Sequence, residues 1–168
     1  TLAPNLGVVQ GKNGEDFVLA DIPGLVEGAS EGVGLGHEFL RHVERTKVFI
    51  HVVDAAALEG NDPVEEIEKI NAELFNYNSE LSKRPQIIAA NKIDIPEAQE
   101  NVERLKAVYE PKGYKVFPIS AAANKGLDDL LAAVALKLKE YPENIVFEED
   151  FEEFIEPDID KEPFEIEI

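Results

Sequence analysis

The chain has 168 residues and a net charge of −19, and 44% of its residues are hydrophobic. This composition fits one globular domain, and no apolar run approaches the length of a membrane span. The absence of cysteine excludes disulfide bonds and thiolate metal sites in this sequence and is typical of a reducing compartment, so we expect a cytoplasmic protein. The excess of acidic residues argues against a direct grip on nucleic acid, because it repels phosphates.

Two short strands open the predicted fold. Residues 7–10 and 16–21 are apolar stretches separated by a turn-rich link, which predicts an antiparallel hairpin. The second strand ends in Asp21, and Ile22, Pro23 and Gly24 follow it. An acid at the end of a strand can hold Mg²⁺ through water, and the glycine lets a backbone N–H approach a phosphate. By itself, this tetrapeptide is more often an ordinary strand exit.

A glycine-rich loop comes next. Residues 24–36 contain five glycines, and apolar residues then recur at helical spacing up to Arg45. A loop of this composition can take more than one conformation, as a molecular switch requires. We therefore expect the loop to be the moving part and the helix at 35–45 to be its lever.

Strands and helices alternate over the rest of the chain. Apolar strands are predicted at 48–54, 85–90 and 115–119. Helices are predicted to begin at Asp62–Pro63, at Pro96 and near Gly126. This alternation predicts a largely parallel sheet with helices on both faces, in which ligands bind at the C-terminal ends of the strands.

A polar tetrapeptide, Asn91, Lys92, Ile93 and Asp94, follows the second of these strands. A carboxylate at Asp94 can accept two parallel hydrogen bonds, from the N1–H and the 2-amino group of guanine, which adenine does not offer. Lys92 can lay its methylene stem along the base, and Asn91 can tie the loop to its neighbours. The alternative is a polar loop in which Asp94 caps the helix behind Pro96.

Two further segments complete the pattern. Ser120, Ala121 and Ala122 follow the last strand, where the Ala121 N–H can donate to guanine O6. Thr1, followed by Leu2, offers a hydroxyl that can complete a magnesium shell. Taken singly, Ser120–Ala122 is better explained as a plain strand exit, and the alternative for Thr1 is a disordered terminus.

The four elements occur in an order that resembles the P-loop GTPases. Two stretches, EGASEGVGLGHEFLRHVERT at 27–46 and TLAPNLG at 1–7, resemble specifically the Obg family of GTPases, and the resemblance covers essentially the whole chain. It implies an α/β, Ras-like P-loop GTPase fold, with a mostly parallel sheet, one antiparallel strand and helices on both faces, incomplete at its N-terminus. It also implies that Thr1 binds Mg²⁺ directly and Asp21 binds it through water. The implied GTP or GDP ligands are Thr1, Leu2, Asp21, Ile22, Pro23, Gly24, Asn91, Lys92, Ile93, Asp94, Ser120, Ala121 and Ala122.

The resemblance further implies function and domain organisation. It implies a magnesium-dependent GTP hydrolase with slow turnover, which acts as a switch in assembly of the large ribosomal subunit and responds to guanosine tetraphosphate. Residues 1–143 are expected to form the GTPase domain, and residues 144–168 an acidic linker toward a C-terminal domain. Two alternatives stay open: a guanine-nucleotide sensor in which hydrolysis is incidental, and an interaction module that has lost its phosphate loop.

Two departures from GTPase sequences bear on catalysis. No Gly-x-x-x-x-Gly-Lys-Ser/Thr motif is present, so we expect the sequence to be an excerpt that lacks the P-loop segment and is inactive by itself. Many GTPases have a glutamine that orients water at the position of Leu25. The resemblance implies that an apolar residue at this position is typical of the Obg family. The catalytic group therefore stays unknown, with Glu27, Glu31 and His37 as candidates only. His51 is expected to be a core or edge histidine.

Overall fold

The structure, a computed structural model, describes residues 5–11, 16–21 and 43–140. The described strands are β1 (Asn5–Val9), β2 (Phe17–Asp21), β3 (Phe49–Asp54), β4 (Gln86–Asn91) and β5 (Lys115–Pro118). They form two sheets, an antiparallel pair of β1 and β2 and a parallel three-stranded sheet of order β3-β4-β5. Strands β2 and β3 are not hydrogen-bonded to each other.

Within residues 43–140, three helices connect or follow the parallel strands. They are α1 (Pro63–Tyr77), α2 (Ala98–Tyr109) and α3 (Leu127–Glu140), and short 3₁₀ turns lie at Leu81–Lys83 and Glu110–Lys112. Residues 43–45 are helical as well, and the rest of the helix expected at 35–45 lies outside the described residues. None of the helices in the described part of the chain is long and apolar enough to span a membrane.

The start of α1 follows the sequence prediction. The Asp62 carboxylate accepts a hydrogen bond from the Val64 N–H at 3.0 Å, and Pro63 occupies the first turn. An acid at this position satisfies a backbone donor that the helix itself cannot pair, and proline lacks the donor altogether. Both features therefore favour a helix that begins at Pro63.

The start of α2 differs from the prediction by two residues. The helix begins at Ala98 rather than at Pro96, and Glu97 is its N-cap. Pro96 lies in a preceding turn, in which the Ala98 N–H donates to the Ile95 carbonyl at 3.0 Å. The three-residue span of this bond forms a tighter turn than an α-helix, so the regular helix starts only after it.

The core lies on both faces of the parallel sheet, which confirms the predicted layers. On one face, Ile88 and Ala90 of β4 pack with residues of α1 and α2 such as Ile67 and Leu105. On the other face, Ile87 and Ala89 pack with α3. The first five residues of β4 are buried, because a central parallel strand is covered from both sides.

The predicted hairpin is confirmed, with β1 paired to β2 in antiparallel register. Val8 lies opposite Val18, and each is 61% exposed. Val9 is buried, and Phe17 packs against the cluster on the α3 side of the parallel sheet. The hairpin thus has one covered face and one face open to solvent.

Candidate functional site

Three strand ends meet at the C-terminal edge of the parallel sheet. Asp54 ends β3 and pairs in register with Asn91, which ends β4. The chain leaving β5 stays on this edge, because the Ile119 N–H donates to the Ala90 carbonyl at 2.8 Å and the Ile119 carbonyl accepts from the Ile93 N–H at 3.2 Å. The loops after β4 and β5 are therefore hydrogen-bonded to each other.

Asn91 ties these two loops together through its side chain. Its Oδ1 accepts the Lys92 N–H at 2.8 Å and the Ala121 N–H at 3.1 Å. Two backbone donors on one oxygen fix the orientation of the amide, since the amide nitrogen cannot accept them. The contact agrees with the predicted role of Asn91. It also occupies the Ala121 N–H that the sequence analysis directs toward guanine O6.

Asp94 is held by Ser120. The Ser120 Oγ donates to Asp94 Oδ1 at 2.8 Å and accepts the Ala123 N–H at 3.1 Å. Ser120 is fully buried, whereas Asp94 is exposed. One edge of the carboxylate is thus fixed by a buried hydroxyl while the residue stays accessible to a ligand. Asp94 is not the N-cap of α2, which is Glu97.

The other predicted residues of these loops have supporting positions. Ile93 packs against the cluster beneath α1 and α2, which anchors the loop between Lys92 and Asp94. Ala122 is exposed in the turn that follows Ser120. Ile93 and Ala122 have no reactive side chains, so they contribute to the site only through their backbone.

The turn after β5 is closed by backbone contacts. Ser120 and Lys125 exchange two hydrogen bonds, of 3.0 and 2.9 Å. Gly126 follows with a φ of +76°, and a Cβ at this position would lie 2.4 Å from the Pro118 carbonyl oxygen. Only glycine fits this conformation and this contact, so Gly126 sets the path of the turn that carries Ser120.

Lys92 makes a contact that the sequence analysis missed. Its Nζ lies 3.1 Å from Asp54 Oδ2, and its backbone φ is +69°. Desolvation opposes ionisation of Asp54, but hydrogen bonds from Lys92, Leu58 and Ala56 outweigh it and hold the pKa of Asp54 below its usual range. The carboxylate is therefore charged at neutral pH and attracts the ammonium group.

The expected phosphate and magnesium residues are described only in part. Asp21 is exposed at the end of β2, where its carboxylate is accessible and of the donor type that Mg²⁺ prefers. Among the described residues, no group of three or more His, Cys, Asp or Glu side chains could hold a metal ion. Thr1, Leu2, Ile22, Pro23 and Gly24, as well as Leu25 and the glycine loop, lie outside these residues.

His51 is a core residue, as expected. It is 5% exposed, and its Nε2 lies 2.8 Å from Gln86 Oε1. Burial lowers the pKa of His51, and the hydrogen bond to Gln86 opposes this effect only in part. It has a structural position on β3, away from the loops at the strand ends.

Two family models and several known proteins are similar to this chain. A model described as 50S ribosome-binding GTPase matches residues 1–92, and one described as Obg-like GTPase YGR210-like, G4 motif-containing domain matches residues 89–161. GTPase Obg of Ruminiclostridium cellulolyticum is 59% identical over the whole chain. The chain belongs to the Obg family of GTPases. GTPase Obg of Alkaliphilus oremlandii is 64% identical over 85% of the chain.

The chain corresponds to only part of each of these Obg proteins. The chain spans 40% of the length of the first relative and 33% of the second. Their remaining length has no counterpart in this sequence, so the activity and partners of a whole Obg protein do not transfer directly.

Two solved structures confirm the Ras-like fold. A variant of Era from Aquifex aeolicus bound to GDP·AlF4− has a TM-score of 0.58 at 21% identity, over 85% of this chain and 46% of that one. The FeoB G-domain from Methanococcus jannaschii has a TM-score of 0.53 at 24% identity, over 83% of this chain and 80% of that one. At this level of identity the likeness concerns the fold alone.

Proposed function

We propose that the chain is the guanine-nucleotide-binding part of an Obg-type GTPase, which binds GTP and GDP and hydrolyses GTP slowly. The observation that carries the proposal is the Asp94 carboxylate, exposed at the end of a buried parallel strand and hydrogen-bonded to the buried Ser120 hydroxyl. A buried partner fixes the direction of a carboxylate that is otherwise free to rotate, as selective recognition of a base requires.

The proposed recognition of guanine uses both loops. Asp94 accepts from N1–H and the 2-amino group, and the Lys92 stem lies along the face of the base. Asn91 holds the two loops in register through its contacts with Lys92 and Ala121. Guanine O6 then faces the turn that begins at Ser120, where the donors are the Ala122 N–H and the Ala121 N–H, the latter shared with Asn91 Oδ1.

The proposed phosphate site comprises Thr1, Leu2, Asp21 and residues 22–24. Thr1 and Asp21 would hold Mg²⁺, directly and through water, and the ion would neutralise charge on the terminal phosphates. The exposed position of Asp21 at a strand end supports its part in this arrangement. Leu25 cannot orient water, so slow hydrolysis belongs to the same proposal.

We extend the proposal to partners and organisation by family resemblance. The partners are the large ribosomal subunit and guanosine tetraphosphate, in the cytoplasm, where both occur. The match of the 50S ribosome-binding GTPase model supports the ribosomal partner. Residues 1–143 would form the GTPase domain and residues 144–168 an acidic linker.

A guanine-nucleotide sensor is the second candidate function. The apolar residue Leu25, at the position where many GTPases orient water, favours it, because binding can then matter more than turnover. Single-turnover hydrolysis in a full-length Obg protein that carries this sequence separates the two. A rate that rises with a ribosomal partner indicates the switch, and a rate that stays negligible with every partner indicates the sensor.

Base selectivity tests the proposed binding directly. In the same full-length protein, inosine diphosphate, which lacks the 2-amino group, should bind about 10- to 100-fold more weakly than GDP, because one acceptor is left unpaired. ADP should bind more weakly by about 10⁴-fold, as is typical when a site built for hydrogen bonds meets an analogue without them. Equal affinity for ADP and GDP would exclude guanine recognition by Asp94.

A further inference from the structure

The contact between Lys92 and Asp54 joins two neighbouring strand ends. Lys92 follows β4 and Asp54 ends β3, so the lysine stem crosses from one strand to the next before its Nζ reaches Asp54 Oδ2 at 3.1 Å. The two side chains are 40% and 25% exposed, respectively. The pair thus lies at the ligand-facing edge of the sheet and is accessible, rather than buried in the core.

Asp54 is itself fixed by the backbone around it. Its two carboxylate oxygens accept the Ala56 N–H at 2.9 Å and the Leu58 N–H at 3.2 Å. The Asn101 side chain donates to the Ala55 carbonyl at 2.8 Å, which ties the same loop to α2. A carboxylate that is held in this way presents a charge at a constant position.

We propose that Asp54 is a positioning residue for base recognition, which holds the Lys92 ammonium so that the lysine stem forms a platform for the guanine face. This inference rests on the proposed function, because it concerns the same nucleotide site. A lysine side chain loses much rotamer freedom when it packs against a ligand. An anchor at its tip lowers that loss, since the stem is already extended before the base arrives.

A purely structural role for Asp54 predicts a different result. If the carboxylate only caps the turn after β3, its removal lowers stability and leaves nucleotide affinity unchanged. If it acts through Lys92, its removal weakens binding only while Lys92 carries its charge. A double-mutant cycle separates these two roles.

The cycle compares Asp54→Asn, Lys92→Met and the double variant in a full-length Obg protein that carries this sequence, with GDP affinity and melting temperature as readouts. Methionine keeps most of the lysine stem but has no charge to hold. We expect Asp54→Asn to weaken GDP binding about three- to tenfold, within the range of a partly exposed ion pair with shared hydrogen bonds. The double variant should bind GDP no more weakly than Lys92→Met alone.

Asp62→Asn is the matched control. Asp62 also accepts a hydrogen bond from a backbone N–H, that of Val64, and also forms an ion pair, with Arg104 at 2.9 Å. It lies at the start of α1, outside the proposed nucleotide site. We expect it to lower the melting temperature without changing GDP affinity. Asp54→Ser serves if Asp54→Asn does not fold, because serine keeps an acceptor for the turn and lacks the charge.

Three outcomes would overturn the inference. Additive losses of affinity in the double variant would show that Asp54 acts independently of Lys92. Tighter GDP binding by Asp54→Asn would show that the pair competes with the nucleotide. A loss of melting temperature with unchanged affinity would leave only the capping role. If the unmodified, folded protein fails to bind GDP, the proposed function itself is wrong, and the inference falls with it.

Discussion

The parallel sheet and the β1–β2 hairpin differ in how they are stabilised. In the parallel sheet, Ile88 at the centre of β4 is 1% exposed and covered by two helices. In the hairpin, the cross-strand pair Val8 and Val18 is 61% exposed at each residue. The loops proposed to bind the base follow strands of the first region and are hydrogen-bonded to each other, whereas Asp21 is exposed at the end of the second region. The comparison indicates that the folded parallel sheet holds the proposed base-binding loops in place.

The largest effect should come from the centre of the parallel sheet. Ile88→Ala removes buried methyl groups and leaves a cavity, so we expect a loss of about 2–5 kcal/mol in the free energy of unfolding. The matched change in the hairpin, Val18→Ala, should cost no more than about 0.5 kcal/mol, because that side chain is largely exposed. Urea unfolding of the two variants measures both. Equal losses would contradict the difference between the two regions.

The next effect concerns the turn that carries Ser120. Gly126→Ala combines a positive φ with a Cβ only 2.4 Å from a backbone oxygen, so we expect a loss of about 2–4 kcal/mol in the free energy of unfolding. Gly113→Ala is the control, because Gly113 has a φ of +90° but nothing within 4 Å of the added Cβ. Its cost should be about 1–2 kcal/mol, from backbone strain alone. A control as costly as Gly126→Ala would mean that the close contact is unimportant.

The smallest effect depends on pH. Burial lowers the pKa of His51, whereas the same histidine in the unfolded chain titrates near its ordinary value of about 6.5. The unfolded state therefore binds more protons as the pH falls below about 6.5, and stability drops with it. His51→Gln cannot titrate, so its free energy of unfolding should fall less between pH 7 and pH 5.5 than that of the unchanged protein. Identical slopes would show that His51 does not titrate differently in the two states.

Local patterns predicted most of the fold but not every contact. The apolar strand before Asn91 and the Asp62–Pro63 helix start are determined by neighbouring residues, and both were predicted correctly. The start of α2 was wrong by two residues, because a turn with short-range bonds precedes it. The Lys92–Asp54 pair joins residues 38 positions apart, and no periodicity encodes it.

For the candidate site, the sequence predicted which loops lie together but not the side-chain contacts between them. The residues proposed to recognise the base were chosen from their positions after strands, since such positions meet at one edge of a parallel sheet. The hydroxyl of Ser120 was not predicted as a partner of Asp94, because the two residues are 26 positions apart and lie in loops after different strands. The bond from the Ala121 N–H to Asn91 was also missed, since it depends on how two separate loops fold together.

We propose that Asp94, held by Ser120, selects guanine. The most direct measurement compares GDP and xanthosine diphosphate binding by a full-length Obg protein that carries this sequence and by its Asp94→Asn variant, with Asp62→Asn as a charge-matched control. Asparagine can still accept the Ser120 hydroxyl, and its amide can donate to the 2-oxo group of xanthine. We predict that the variant loses at least about 100-fold in GDP affinity and prefers xanthosine diphosphate, while the control keeps its preference for GDP. An Asp94→Asn variant that still prefers GDP would contradict the account.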